Sequence, residues 1–352
     1  MSKVISIFSH KGGVGKTTFV YNIAFELAAR NKNVLLIDAD AQMNLTSSVF
    51  GKFLDVDYLK DKTKQSEGDL SWEDFLTKYR NFVDHFSLND ESKPIFQSKL
   101  NKNVSLISSS LSIDTSVLEW TDIVLGSRIE NSQMRDPRLV DFQKKLSDLK
   151  KQYDYIFIDM APSASNILNA MLVCSADYFL VPVFPNFFSL QAVNNLADIF
   201  NTWLSIFKKH SRTGNYHGFD VKAKFLGLIL NRSSGFGKDS KNQNKYTKAT
   251  KEWTNSINSR LSIFIDNHEK NTITLPEFSD IFQKSTPWVI ANIVNMPPAL
   301  DKTASDNHKP FLWLTPNDYA QLNDEENSHR KAFDKIKESY SYIIESLERL
   351  GN

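Results

Sequence analysis

Lys16 and Thr17 end a stretch whose residue types can hold a polyphosphate: Ser9-His10-Lys11-Gly12-Gly13-Val14-Gly15-Lys16-Thr17-Thr18. A lysine at position 16 reaches β and γ phosphates as a point charge, and the Thr17 hydroxyl is placed to ligate Mg²⁺. Gly12, Gly13 and Gly15 let the backbone approach an anion without a Cβ in the way, so the N–H groups along the loop, through Val14 to Thr18, can point into one concavity. A second lysine, Lys11, stands inside the same loop. Carboxylates follow at two later places. Asp38 and Asp40 come directly after the apolar run Val34-Leu35-Leu36-Ile37, and Asp159 ends Tyr153-Asp154-Tyr155-Ile156-Phe157-Ile158. An apolar strand ending in aspartate, behind a phosphate loop, is the Walker B arrangement that holds Mg²⁺ between the β and γ oxygens.

The surrounding sequence supplies the elements that must position these groups. Val4 to Phe8 reads as a strand leading into the loop. Thr17 to Arg30 reads as a helix, with Val20, Ile23, Ala24, Leu27 and Ala28 at helical spacing. The continuous apolar run at 34–37 is the pattern of a parallel strand covered on both faces. Further strands are expected at 103–109, 153–159, 178–183, 225–230 and 288–294. Helices are expected from about Pro137 to Lys150, with Leu139, Phe142, Leu146 and Leu149 on one face, and from about 187 to 208. This alternation predicts an α/β fold: a doubly wound, mostly parallel sheet flanked by helices, with its ligand at the carboxyl ends of the strands. We expect one domain over residues 1–352. A polar stretch at about 53–102, with Trp72 and Phe75 on a short helix, is the least informative part.

Composition narrows the class. The 352 residues carry a formal net charge of +1 and 41% hydrophobic residues, ordinary for a soluble globular protein. A single cysteine, Cys174, can make neither an internal disulfide nor a cysteine metal cluster, which suits a reducing cytoplasm, and its apolar neighbours mark it as a core residue. The first strand begins within three residues, leaving no room for a signal peptide, and no run of about 18 apolar residues could span a membrane. Charge is unevenly distributed. Between Asn201 and Arg260 stand Lys208, Lys209, Arg212, Lys222, Lys224, Arg232, Lys238, Lys241, Lys245, Lys248, Lys251 and Arg260, against Asp220, Asp239 and Glu252. That excess is an electrostatic footprint for polyanions, the alternative being a solvated helix face. If the segment is helical, Lys241, Lys245 and Lys248 share one side.

The generic phosphate-loop pattern G-x-x-x-x-G-K-[ST] fails, because His10 stands where its first glycine belongs. What matches is K-G-G-x-G-K-[ST]-T, which resembles the deviant Walker A motif of the ParA/MinD family of ATPases, and the chain is most similar to the short, Soj-like ParA proteins. Asp38 to Gln42 resembles the family's D-x-D-P-Q segment, with alanine at 41 in place of proline. Asp159 with Ala161-Pro162-Ser163 resembles its D-x-x-P segment, and Asn169 matches an asparagine in the following helix. Leu300 to Pro310 resembles a segment represented by Ala304, Lys309 and Pro310, although His308 replaces a glycine. The resemblance implies ATP and Mg²⁺ as cofactors. It makes Lys11, Lys16 and Asp40 catalytic, Asp40 orienting the attacking water near the metal with Asp38 in support. Thr17, Asp40 and Asp159 form the metal set, and Asn231 and Pro297 belong to the base pocket.

The same resemblance implies a homodimer with ATP sandwiched between subunits, in which Lys11 reaches the partner's nucleotide. It further implies nonspecific DNA binding in the ATP state, carried by Lys238, Lys241, Lys245, Lys248 and Lys251, an adaptor protein that stimulates slow hydrolysis, and a cytoplasmic, nucleoid-associated life without a membrane partner. Two other functions stay open at this point. A MinD-like membrane-cycling protein would use the C-terminal stripe Phe333, Ile336, Tyr340, Ile343, Ile344 and Leu347, which otherwise reads as core packing. A metabolic enzyme of the dethiobiotin-synthetase kind would lack the inner lysine.

Overall fold

The apolar runs do form strands, and they line up in an order quite different from their order in the chain. The computed structural model describes residues 2–51, 71–86, 93–110, 112–126, 138–208, 219–233, 235–238, 244–283, 288–319 and 326–350. The first strand, β1 (Lys3–Ile7), leads through the loop into α1 (Lys16–Ala29), and β2 (Val34–Ala39) is followed by α2 (Asn44–Phe50). Next come α3 (Trp72–Lys78), α4 (Phe82–Phe86), β3 (Phe96–Gln97), β4 (Val104–Ile107), α5 (Ile113–Gly126) and α6 (Arg138–Leu149). β5 (Tyr155–Met160), α7 (Ile167–Ser175), β6 (Tyr178–Val183), α8 (Phe187–Lys208) and β7 (Lys224–Ser233) follow. The chain continues through β8 (Gly235–Lys238), β9 (Asn244–Tyr246), α9 (Lys248–Asn267), α10 (Leu275–Phe282), β10 (Val289–Val294), α11 (Pro298–Asp306), α12 (Pro316–Tyr319) and α13 (Glu326–Arg349).

Eight strands make one sheet in the order β10-β7-β6-β1-β5-β2-β4-β3, parallel except where β3 runs against β4. Every residue of β1, β2, β4 and β5 is buried, which explains why these strands read as continuous apolar runs without alternation. β1 lies between β5 and β6, so the chain leaves it toward one side of the sheet and later returns to the other. Reversal of this kind opens a crevice beyond the carboxyl ends of the strands. Register decides what stands there: Ile7 pairs with Asp159 across β1 and β5, and Asp38 pairs with the same Asp159 across β2 and β5. The loop and two carboxylates are thereby brought level.

β7 and β10 approach so closely that only glycine fits at position 227. A Cβ there would lie 2.7 Å from the Trp288 carbonyl oxygen, which accepts a 2.7 Å hydrogen bond from Leu228 N, and Gly227 holds φ at +145°. α13 packs against both α1 and α10, while α5, α7 and α8 pack together and α9 packs on α8. The C-terminal stripe from Phe333 to Leu347 is buried, and α13 packs against β10, so the stripe is core. Cys174 is buried in α7, as its neighbours suggest.

In one region the structure adds to the sequence-based expectation, whose short helix with Trp72 and Phe75 forms as α3, and in another it differs. The polar stretch at 53–102 contributes a packed aromatic cluster in which Phe50, Trp72, Tyr79 and Phe96 surround the fully buried Phe75, while 52–70 and 87–92 lie outside the described residues. The lysines of the basic segment do not share a helical face. Lys238 is on β8 and Lys245 on the antiparallel β9, and Lys241 lies outside the described residues. The helix begins at Lys248, where the Thr247 hydroxyl caps it by accepting from Thr250 N at 3.2 Å. β8 and β9 pair through backbone groups, so charge spacing, the only helical signal here, had no bearing on them.

Candidate functional site

The loop leaves β1 and turns into α1 at Gly15, which holds φ at +84° and offers no side chain to cap the helix. The first-turn N–H groups of α1 are therefore open to an anion at the positive end of the helix dipole. A Cβ on Gly15 would come within 3.0 Å of the Asn231 side-chain nitrogen, which donates a 2.7 Å hydrogen bond to the Val14 carbonyl. Asn231, near the end of β7, thus ties that strand to the loop. Lys16 is buried, and its Nζ donates to Ser9 Oγ at 3.1 Å; that hydroxyl in turn donates to the Lys11 carbonyl at 2.7 Å. Burial lowers the Lys16 pKa, and the charges of Asp159 and Asp40 work against that shift.

The Thr17 hydroxyl donates to Asp159 Oδ2 at 2.6 Å, while Oδ1 of the same carboxylate is buried with no hydrogen-bond partner among the described residues. Burial first, and then the adjacent Asp38 charge, push the Asp159 carboxyl up to about 7, against the lowering pull of the Thr17 bond and Lys16. Asp38 is fully buried and raised to about 6 for the same leading reason. Its oxygens accept from Thr46 N at 2.8 Å, Thr46 Oγ1 at 2.7 Å and Asp40 N at 3.1 Å. Thr46 Oγ1 accepts in turn from Ser109 N at 3.1 Å. Asp38 therefore acts as a knot joining the end of β2 to α2 and to the end of β4, and this knot supports Asp40. Asp40 is half-buried and accepts from Gln42 N at 3.0 Å.

These groups fit a magnesium ion. An orphaned carboxylate oxygen on Asp159, the Thr17 hydroxyl and Asp40 are hard oxygen donors, and burial that disfavours the Asp159 anion is relieved by a cation beside it. Among the described residues no group of three or more His, Cys, Asp or Glu side chains forms a closed metal cage. A cation here would take further ligands from phosphate and water, which is the habit of Mg²⁺. Asn169 fixes the segment after Asp159 by donating to the Ala161 and Ser163 carbonyls at 2.8 and 2.7 Å.

Beside the loop lies a cavity of about 360 Å³ lined by Val14, Thr18, Asn231, Arg232, Met296 and Pro298 among others, large enough for a nucleoside. Pro298, rather than the expected Pro297, faces it; Pro297 stands at the N-cap of α11. The sequence reading missed Ser9, Phe184 and Arg232. The Arg232 guanidinium lies 4.9 Å from the centre of the Phe184 ring, and Arg232, one residue before the end of β7, holds a φ of +53° and lines the cavity. A second, polar cavity of about 710 Å³ shares Thr18, Asp301 and Phe311 with the first. Lys309 lines it, paired with Asp318 at 2.7 Å.

Lys11 does not join Lys16. It is exposed, and its Nζ lies 4.5 Å from the centre of the Phe188 ring near the start of α8. Lys248 and Lys251 are exposed in the first turn of α9, where no acidic residue stands, although Lys248 reaches Glu252 at 3.7 Å. No helix among the described residues is long and apolar enough to cross a membrane.

Strand, glycine-bearing turn, helix N-terminus and an aspartate on the neighbouring parallel strand define a P-loop nucleotide-binding architecture. A protein-family model described as an AAA domain matches residues 2–211, and the chain belongs to that family, in its ParA-like branch. An uncharacterized protein of Methanocaldococcus jannaschii is 30% identical over 233 residues, 66% of this chain and 73% of that protein. The sporulation initiation inhibitor protein Soj of Bacillus subtilis is 27% identical over 213 residues, 60% of this chain and 69% of Soj. Among solved structures, pNOB8 ParA shares the fold with a TM-score of 0.56 at 22% identity, covering 99% of each chain. The same protein bound to nonspecific DNA aligns with a TM-score of 0.52 at 20% identity, over 99% of this chain and 100% of the other.

Proposed function

We propose that this chain is a ParA-type positioning or partition ATPase that dimerises around ATP and binds DNA without sequence preference in that state. The observation that carries the reading is the division of labour between two lysines of one loop: Lys16 is buried among the phosphate-site groups, and Lys11 is exposed outside them. A loop cation with no place in its own site is best used in the site of a second copy. Likeness to Soj, and to a ParA seen on nonspecific DNA, supports the same reading.

The residues act by positioning and charge. Loop N–H groups and Lys16 bind the phosphates, and Asn231 holds the loop against the base cavity. Thr17, Asp159 and Asp40 would hold Mg²⁺, which when bound neutralises charge developing on the β and γ oxygens. Asp40, steadied by the Asp38 knot, orients the attacking water. Lys11 adds positive charge to the partner's phosphates, so that hydrolysis depends on association and ends it. Dimerisation also doubles the number of basic side chains offered to DNA, including Lys248 and Lys251 at the positive end of α9. An adaptor that stimulates turnover would couple this cycle to a cargo. DNA retention measured across a salt series with ATP and with ADP tests the proposal; retention is expected in ATP alone, and equal retention in both would refute the switch.

A further inference from the structure

Lys11 is held outside its own phosphate site by a contact that the loop motif does not specify. Its ammonium lies 4.5 Å from the centre of the Phe188 ring, in a groove that also takes in His10, Gln191 and Asn195. No carboxylate lines that groove, and among the described residues Lys11 makes no ion pair. The ring is therefore what attracts the charge, through the negative face of its π system. Phe188 remains 60% exposed, so it is not placed by core packing. It is placed by the start of α8, where Asn186 Oδ1 accepts from Ser189 N at 3.0 Å and Ser189 Oγ accepts from Phe184 N at 3.0 Å. The Asn186 cap and the Ser189 tie back to Phe184 fix the backbone of the first turn, on which the ring stands.

We infer that Phe188 is a positioning residue for Lys11, keeping the lysine from folding back onto the γ-phosphate of its own subunit so that its charge stays available to a partner. This rests on the reading that Lys11 works across the dimer. A long, flexible lysine in a phosphate loop has a strong competing target in its own subunit, because the nearest polyanion would be its own ATP. Weak restraint on the outer face tips that competition without preventing release of the lysine, since an exposed cation–π contact shifts such an equilibrium by about two- to five-fold.

The test uses the full chain with Phe188→Leu, which keeps apolar bulk but removes the ring face, and Phe188→Tyr, which keeps the ring. Each is made with and without Lys11→Ala. Two quantities are read: ATP affinity at concentrations where the protein is monomeric, and ATP-dependent dimerisation by light scattering. Phe188→Leu is expected to tighten monomer ATP binding and to weaken dimerisation, each by about two- to five-fold. Phe188→Tyr should match the parent, and in the Lys11→Ala background Phe188→Leu should leave monomer ATP affinity unchanged. A ring that merely packs in the interface would weaken dimerisation and leave monomer ATP affinity alone, which overturns the inference. So does a Phe188→Leu protein that behaves as the parent while Lys11→Ala dimerises poorly. Should Lys11→Ala itself dimerise as the parent does, the trans reading fails and the inference falls with it.

Discussion

The Thr17 hydroxyl and the Asp159 carboxylate are joined by a 2.6 Å hydrogen bond that ties the first turn of α1 to the end of β5. One oxygen of Asp159 is committed to this bond, and the other is buried without a protein partner among the described residues. Removing the carboxylate charge while keeping its shape is the direct probe. Asp159→Asn should lower Mg²⁺-dependent ATP affinity by about 10- to 100-fold, the usual cost of losing a group that orients or ligates a metal. Titration of a fluorescent ATP analogue with and without a chelator checks this, and metal-independent binding should be nearly unchanged.

The same carboxylate makes stability depend on pH. Asp159 rises from 3.8 to about 7 on burial, and Asp38 from 3.8 to about 6. The native state therefore keeps protons that the unfolded chain has lost above about pH 4. Stability of the nucleotide-free protein should fall as pH rises from about 4 to about 7, the sign expected when the native state binds more protons. Thermal melts across that range measure it. Asp159→Asn should flatten the slope, and the gain in melting temperature from Mg²⁺ and ATP should grow over the same interval, as the carboxylate must be ionised to hold the metal.

Asp38 accepts three hydrogen bonds in a fully buried position, from both donors of Thr46 and from Asp40 N. Asp38→Ala strands those donors and should destabilise the fold by about 2–4 kcal/mol, whereas Asp38→Asn, which keeps an acceptor, should cost about 1 kcal/mol. Denaturant melts separate the two. Because the knot steadies Asp40, turnover should fall more than ATP affinity in Asp38→Asn.

DNA binding by the ATP state should show a steep salt dependence. Lys248 and Lys251 are exposed at the start of α9 with no acid in that turn. Two residues in each of two subunits make four phosphate contacts, so replacing both with alanine should reduce the slope of log affinity against log salt by about 3–4 units. A slope equal to that of the parent would move the DNA surface elsewhere.

Much of this architecture is legible in the sequence because parallel strands buried on both faces leave unbroken apolar runs. Val34–Ile37 and Tyr155–Ile158 announce themselves, and the aspartates that end them mark the crevice. Loop chemistry is equally local, since Gly15, Lys16 and Thr17 act within a few residues of one another. What stays hidden depends on contacts between distant segments. The Asn231 bond to Val14 spans 217 residues, and no spacing in the chain encodes it. Asp38 looks like a partner of Asp40 in chemistry, yet its geometry is absorbed by Thr46, a residue without a motif of its own. Ser9 precedes the charged loop as an ordinary serine until folding brings Lys16 Nζ onto it. Lys245 and Lys248 share no helical face because Lys245 stands on β9, which pairs with β8 through the backbone, and lysine spacing does not report that pairing.

The central claim is that Lys11 serves a second subunit. Its most direct measurement is the mass of the parent protein and of Lys11→Ala in solution, by light scattering, with ATP and with ADP at equal protein concentration. The parent should double its mass in ATP and remain a monomer in ADP, while Lys11→Ala should stay monomeric in both and still bind ATP through Lys16. A Lys11→Ala protein that doubles its mass in ATP as the parent does would contradict the account.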